Sequence, residues 1–239
     1  MWMMRSYMEE RERNRGELPE NLNDNQMIIL FANQKGGVGK STLSLLFSNY
    51  LTLVKNNVVT VYDMDFQRSL YNKAQAAKVI ENPSLYDVEA VELHQFKTIW
   101  EKSKDCDQIR IIDLAGKMDD DHLVPVFQKS DLILCPFCYD EYSVSSTIEF
   151  SFVITQLNPA AKLIFIPNRV RANVKYETLE SVHAALTQFG VVTTSISERI
   201  DFQRITVFDI PPSILGVIEP IFESIYNEYI DPVWHKMNT

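Results

Sequence analysis

The segment Met27-Ile28-Ile29-Leu30-Phe31-Ala32, followed by Asn33-Gln34-Lys35-Gly36-Gly37-Val38-Gly39-Lys40-Ser41-Thr42, decides how the rest of the chain is read. Six consecutive apolar residues have the length of a strand buried on both faces. After the loop, Leu43, Leu46, Phe47, Tyr50, Leu51 and Val54 follow the i, i+3, i+4, i+7 spacing of a helix lying on a sheet. Between them, glycines at 36, 37 and 39 let the backbone curl so that successive N–H groups face inward. The start of the following helix adds unpaired N–H groups and the positive end of the helix dipole. Such a nest suits phosphate oxygens.

The strand–loop–helix context marks a P-loop rather than a Gly-rich turn that binds nothing. Its expected ligands are ATP and Mg²⁺. The backbone of Gly36, Gly37, Val38 and Gly39 would cradle the phosphates, and Lys40 would lie along the β- and γ-phosphates. The Ser41 hydroxyl would ligate Mg²⁺, and Thr42 would face the α-phosphate side.

Further apolar runs of strand length lie at Val58–Tyr62, Ile109–Ile112, Leu132–Phe137, Lys162–Ile166 and Val191–Ser195. Helical stretches are expected at about 93–104, 142–157, 176–188 and 218–230. Apolar strands alternating with helices predict an α/β fold: a mostly parallel, twisted sheet with helices on both faces. Residues 1–25 are polar and charged and read as a flexible or helical arm, with one P-loop domain over 26–239.

Ile109-Arg110-Ile111-Ile112-Asp113 is a Walker B candidate, an apolar strand delivering one carboxylate toward Mg²⁺. Asp63 and Asp65, spaced i, i+2 at the end of Val58–Tyr62, point toward the carboxyl edge where ligands bind in such sheets.

The loop departs from the general pattern G-x-x-x-x-G-K-[ST] at its first position, where Gln34 stands and Lys35 follows. Gln34-Lys35-Gly36-Gly37-Val38-Gly39-Lys40-Ser41-Thr42 resembles the deviant Walker A motif of the ParA/MinD group of ATPases. The resemblance implies a homodimer in the ATP state, with Lys35 reaching across to the partner's nucleotide. Charge supplied in trans to a phosphoryl group is physically sensible; the alternative is a solvated loop lysine. Asp63-Met64-Asp65-Phe66-Gln67 is similar to the group's Asp-x-Asp-Pro-Gln. This implies that Asp65 orients the attacking water and Asp63 helps hold the Mg²⁺ shell and the loop. Phe66 replaces the proline, which puts the loop's rigidity in question. Asn168, after Ile164-Phe165-Ile166-Pro167, is similar to the group's adenine-side Asn, although Asn is also a common turn residue.

The same resemblance implies slow ATP hydrolysis that drives segregation of plasmid or mobile-element DNA, with a ParB-like activator. Arg199 and Arg204 lie where such proteins carry an arginine-bearing stretch for nonspecific DNA. Arg169, Arg171 and Lys175 are further basic candidates. A net charge of −9 excludes a uniformly DNA-attracting surface but leaves room for a local patch. An ATPase positioning a protein cargo or membrane complex, and a metallocluster carrier or reductase, are the other classes. Cys135-Pro136-Phe137-Cys138 suits a core strand better than a cluster site, having no second pair or nearby His. Ile218–Tyr229 carries Glu219, Glu223 and Glu228 without Lys or Arg, the wrong sign for an anionic membrane. No run of eighteen apolar residues and no leader pattern is present, and three cysteines do not make a disulfide framework. A cytoplasmic location is expected.

Overall fold

The computed structural model describes residues 26–79, 84–102, 108–116, 119–171, 174 and 178–233. The arm expected at 1–25, and Lys175, lie outside the described residues. The first strand, β1 (Gln26–Phe31), leads through the glycine loop into helix α1 (Lys40–Leu53). Then follow β2 (Val59–Met64), α2 (Ser69–Val79) and β3 (Asp87–Ala90). A 3₁₀ turn, Leu93–Gln95, precedes α3 (Phe96–Lys102) and β4 (Gln108–Leu114). Beyond it come α4 (Leu123–Lys129), β5 (Leu132–Phe137), α5 (Glu141–Leu157), β6 (Lys162–Pro167), α6 (Leu179–Leu186) and β7 (Val191–Val192). A second 3₁₀ turn, Ile200–Arg204, and the helix α7 (Pro212–Ile225) follow, the latter ending in a π-helical turn, Tyr226–Ile230.

The strands form one seven-stranded sheet in the order β3-β2-β4-β1-β5-β6-β7. Every strand pair is parallel. This is the expected α/β architecture. Side chains alternate across β1, so Met27, Ile29 and Phe31 enter one core and Ile28, Leu30 and Ala32 the other. The first core receives α1, α2 and α7, and Phe47 of α1 meets Phe222 of α7 edge-on at 4.8 Å between ring centroids. The second receives α3, α4, α5 and α6. Central β1 thus delivers the loop at its carboxyl end to the place where the sheet builds outward in both directions, the usual ligand crevice of such sheets.

Three elements have no clear sequence signal. Strand β3 is a four-residue edge whose burial alternates, so it offers no apolar run. Helices α2 and α4 were also not expected from the periodicity; α4 has only seven residues. Boundaries also moved. Strands β2 and β4 run on to Met64 and Leu114, placing Asp63 and Asp113 inside the sheet rather than after it. Strand β7 stops at Val192, and the last helix begins six residues earlier than expected, at Pro212.

Candidate functional site

The glycine loop is fixed by contacts that reach across the sheet. Gly37 and Gly39 adopt φ of +78° and +101°, a region closed to most side chains. A Cβ on Gly39 would stand 2.3 Å from Nδ2 of Asn168. That amide donates to the Val38 carbonyl at 2.8 Å, so Asn168 clamps the loop from β6. Asn33 does the same from within. Its Oδ1 accepts from the Lys35 N–H at 3.1 Å, and its Nδ2 donates to the Pro136 carbonyl and to Thr147 Oγ1 at 2.8 and 2.9 Å. Asn33 is a site residue that the motif reading missed; its burial at the strand end is a tertiary property.

A cavity of about 820 Å³ opens above the loop, lined among others by Gly36, Gly37, Lys40, Ser41, Asp65 and Gly116. The structure therefore brings together residues read separately from three stretches of chain. Lys40 is buried, and its Nζ donates to the Lys35 carbonyl at 3.0 Å. Burial lowers its pKa, while Asp113, Cys135 and Asp65 oppose that shift. Gly116 packs against the loop so closely that a Cβ would meet the Gln34 carbonyl oxygen at 3.1 Å.

Asp63 and Asp113 are register partners on adjacent strands, yet they do different things. Asp63 Oδ2 accepts from the N–H groups of Leu70 and Tyr71, both at 2.9 Å, and Oδ1 accepts from Asp65 N–H at 3.2 Å. It is committed to the loop and the first turn of α2. Three backbone donors thus engage the carboxylate on which the metal-shell expectation rests. Burial still raises its pKa, against those three hydrogen bonds. Asp113 is fully buried, and among the described residues no donor meets full hydrogen-bonding geometry at either carboxylate oxygen, although the Ser41 hydroxyl lies close enough to favour the charged form. Burial pushes its pKa up to about 8, and the facing Ser41 hydroxyl offsets part of that effect.

An orphaned carboxylate beside a hydroxyl fits a hydrated divalent cation, which would supply what the protein withholds. Ser41 and Asp113 are the residues suited to hold it. Among the described residues, no group of three or more His, Cys, Asp or Glu could hold a metal by itself. Cys135 lies in the core and Cys138 is half-buried; both are free, and burial raises both thiol pKa values.

Asp65 lines the cavity, and its Oδ1 accepts from the Gln67 N–H at 2.9 Å. Its carbonyl accepts from Arg68 N–H, also at 2.9 Å. These bonds and those of Asp63 supply the rigidity that a proline would otherwise give. Phe66 projects from this turn almost wholly into solvent. Lys35 does not line the cavity; its Nζ stands 5.9 Å from the ring centre of Tyr142, at the start of α5.

A smaller cavity of about 170 Å³ adjoins the first, sharing Gly39, Thr42 and Arg169 with it. Asn168, Ser197, Glu198, Arg199, Phe202 and Gln203 line the remainder. Arg199 therefore faces the cavity beside the glycine loop, with its Nε donating to Ser197 Oγ at 3.2 Å. Arg204 is exposed and does not line this cavity. Arg171 is paired with Glu198 at 2.7 Å. Arg169, at φ +55°, lines both cavities, a placement that its sequence neighbours do not reveal.

A P-loop at the carboxyl edge of a parallel sheet, with a carboxylate strand beside it, defines a nucleotide-binding α/β domain. The chain belongs to the family of CobQ/CobB/MinD/ParA nucleotide binding domains, whose family model matches residues 29–211. No curated protein sequence matches the chain. Solved structures share the fold. A plasmid partition protein from Borrelia burgdorferi bound to AMPPNP is 24% identical, with a TM-score of 0.67 over 85% of this chain and 99% of that one. The McdA–ATP complex of Cyanothece is 15% identical, with a TM-score of 0.69 over 85% and 96%. The MinC:MinD complex of Aquifex aeolicus is 14% identical, with a TM-score of 0.59 over 85% and 97%. Among the described residues, no helix is long and apolar enough to cross a membrane.

Proposed function

We propose that this chain is a ParA-like ATPase that binds ATP with Mg²⁺, closes as a homodimer and hydrolyses ATP slowly to segregate or position DNA. The observation that carries the ATPase reading is the convergence of Lys40, Ser41 and Asp65 on one cavity, above a buried Asp113 with unpartnered oxygens.

The chemistry follows from what each group can do. Backbone N–H groups of residues 36–39 and the start of α1 bind the phosphates. On nucleotide binding, Lys40 exchanges the Lys35 carbonyl for phosphate oxygens, so its buried charge gains a counter-charge. A Mg²⁺ ion held by Ser41 and Asp113 would neutralise charge on the β- and γ-phosphates. Asp65, fixed by its own turn, orients a water for attack on the γ-phosphorus. Lys35 lies outside its own cavity, which supports a role toward a partner's nucleotide. Asn168 holds the loop through its Nδ2, leaving Oδ1 for the adenine edge. A ParB-like protein would act as activator.

A second reading is favoured by one observation. Arg199 faces the smaller cavity and Glu198 neutralises Arg171, which thins the basic surface around this segment. An ATPase that positions a protein cargo without DNA fits that arrangement. Co-sedimentation with duplex DNA at low salt, with ATP or ADP, separates the two. ATP-dependent pelleting that falls steeply with added salt supports the first reading. Its absence, in a protein that dimerises on ATP, establishes the second.

A further inference from the structure

Where β1 ends, a side chain takes over the ladder. The N–H of Ala32 donates to the Leu134 carbonyl of β5 at 3.1 Å. In a parallel pair the next backbone donor toward β5 comes two residues further along the strand. Here Nδ2 of Asn33 reaches the matching acceptor instead, the Pro136 carbonyl at 2.8 Å. The chain therefore leaves the sheet early, with that carbonyl still paired, and turns into the glycine loop. The same amide has only one workable orientation. Thr147 gives its hydroxyl hydrogen to the Ser143 carbonyl at 2.6 Å, so toward Asn33 Nδ2, at 2.9 Å, it acts as acceptor. Two acceptors hold the nitrogen, and Oδ1 is left facing the Lys35 N–H at 3.1 Å. A reversed amide would set its oxygen against the Pro136 carbonyl at a site 1% exposed. The Lys35 carbonyl in turn accepts from Lys40 Nζ at 3.0 Å. Hydrogen bonds thus run head to tail from the cavity ammonium, through the Lys35 backbone and Asn33, to the first turn of α5.

We infer that Asn33 is a positioning residue for Lys40: seated between β5 and α5, it fixes the Lys35 backbone and thereby sets where the ammonium meets the phosphates. Completing the sheet would need Nδ2 alone; the bond from Oδ1 to Lys35 reaches into the loop. A lysine side chain has a flexible four-carbon stem, so its ammonium stays in one place only while an acceptor is held still for it. Asn33 holds that acceptor before any ligand arrives, which cuts the ordering cost of binding. Thr147, 114 positions away in the chain, belongs to the same device although no motif marks it. The inference rests on the phosphate-binding role of Lys40 proposed above and adds what places that group.

The test compares wild type with Asn33→Ala, Thr147→Val and Thr147→Ser. Calorimetry measures affinity for ATP and for inorganic tripolyphosphate, and amine labelling of the ligand-free protein, read by mass spectrometry, reports how well each lysine is held. Asn33→Ala should bind both ligands about tenfold more weakly, the scale of one lost hydrogen bond. Its Lys40 should label faster, while Lys55, held by Glu223 and the Tyr226 ring, keeps its wild-type rate. Thr147→Val removes one acceptor and should lose about threefold, whereas Thr147→Ser keeps the oxygen and should match wild type. Unchanged Lys40 labelling in Asn33→Ala would overturn the inference, as would a loss for ATP without one for tripolyphosphate. Lys55 labelling that rises in step with Lys40 would also overturn it, because Asn33 would then serve stability alone. Should Asn33→Ala fail to fold, the Thr147 pair decides, and equal affinities of its Val and Ser variants count against the inference. A wild type that binds neither ligand would remove the phosphate-binding reading, and Lys40 labelling would still decide whether Asn33 holds the ammonium.

Discussion

Gly39→Ala tests how the loop is held, because two separate penalties meet at that residue. The backbone sits at φ +101°, where an L side chain costs roughly 1–2 kcal/mol. The new Cβ would also lie 2.3 Å from Asn168 Nδ2, well inside contact distance. Asn168 must then swing away and abandon the Val38 carbonyl, leaving a buried acceptor unpaired at roughly 1–3 kcal/mol. The sum is about 2–5 kcal/mol of lost stability, measured as a lower urea midpoint at unchanged m-value. A double-mutant cycle separates the parts. Asn168→Ala removes the clash and the hydrogen bond but not the φ strain, so the pair should couple by about 1–3 kcal/mol, the hydrogen-bond loss common to both single variants. Strictly additive effects would refute the steric account. A Gly39→Ala protein as stable as wild type would refute the backbone account too.

Lys40→Ala should lower ATP affinity by more than about 100-fold in equilibrium dialysis, because the phosphates lose the buried ammonium at the cavity floor. Affinity within threefold of wild type would reject that assignment. Asp65→Ala is expected to bind ATP, accumulate as a dimer and hydrolyse at least about 100-fold more slowly; a wild-type phosphate-release rate would show that another group orients the water. Arg199→Ala should weaken nucleotide binding, with any DNA affinity falling as a consequence, whereas Arg204→Ala should affect DNA alone; the opposite split would return Arg199 to the DNA surface. For pH, Glu223 has its carboxyl held down at about 2 by hydrogen bonds from Lys55, Tyr50 and Asn227. A depressed acid stabilises above its usual value of 4.5, and that contribution fades as pH falls toward 2. Urea midpoints of wild type should therefore drop over this window more than those of Glu223→Gln, and parallel curves would deny the cluster any net role.

How much was legible beforehand follows from the range of the forces involved. The glycine loop announces itself because its φ values, its lysine and its hydroxyl must be contiguous to fold around a phosphate. The central strands show as apolar runs because both faces are covered. Strand β3 does not, since an edge strand four residues long needs only one inward side chain, Val88. Asp63 and Asp113 look alike in sequence, each a carboxylate in an apolar strand.

What the sequence by itself determined is therefore the fold class, the P-loop and the family to which they belong, all set by local pattern. Only the tertiary structure decided which carboxylate is satisfied and which is orphaned. The α2 N-terminus reaches Asp63 but not Asp113. It also decided that Asn168 clamps the loop, that Arg199 lines the cavity beside it and that Phe66 stands clear of the core. Those outcomes depend on partners as far as 130 residues away in the chain. Hydrogen bonds and burial act over a few ångströms of space, and a linear pattern does not encode which distant groups will occupy that space.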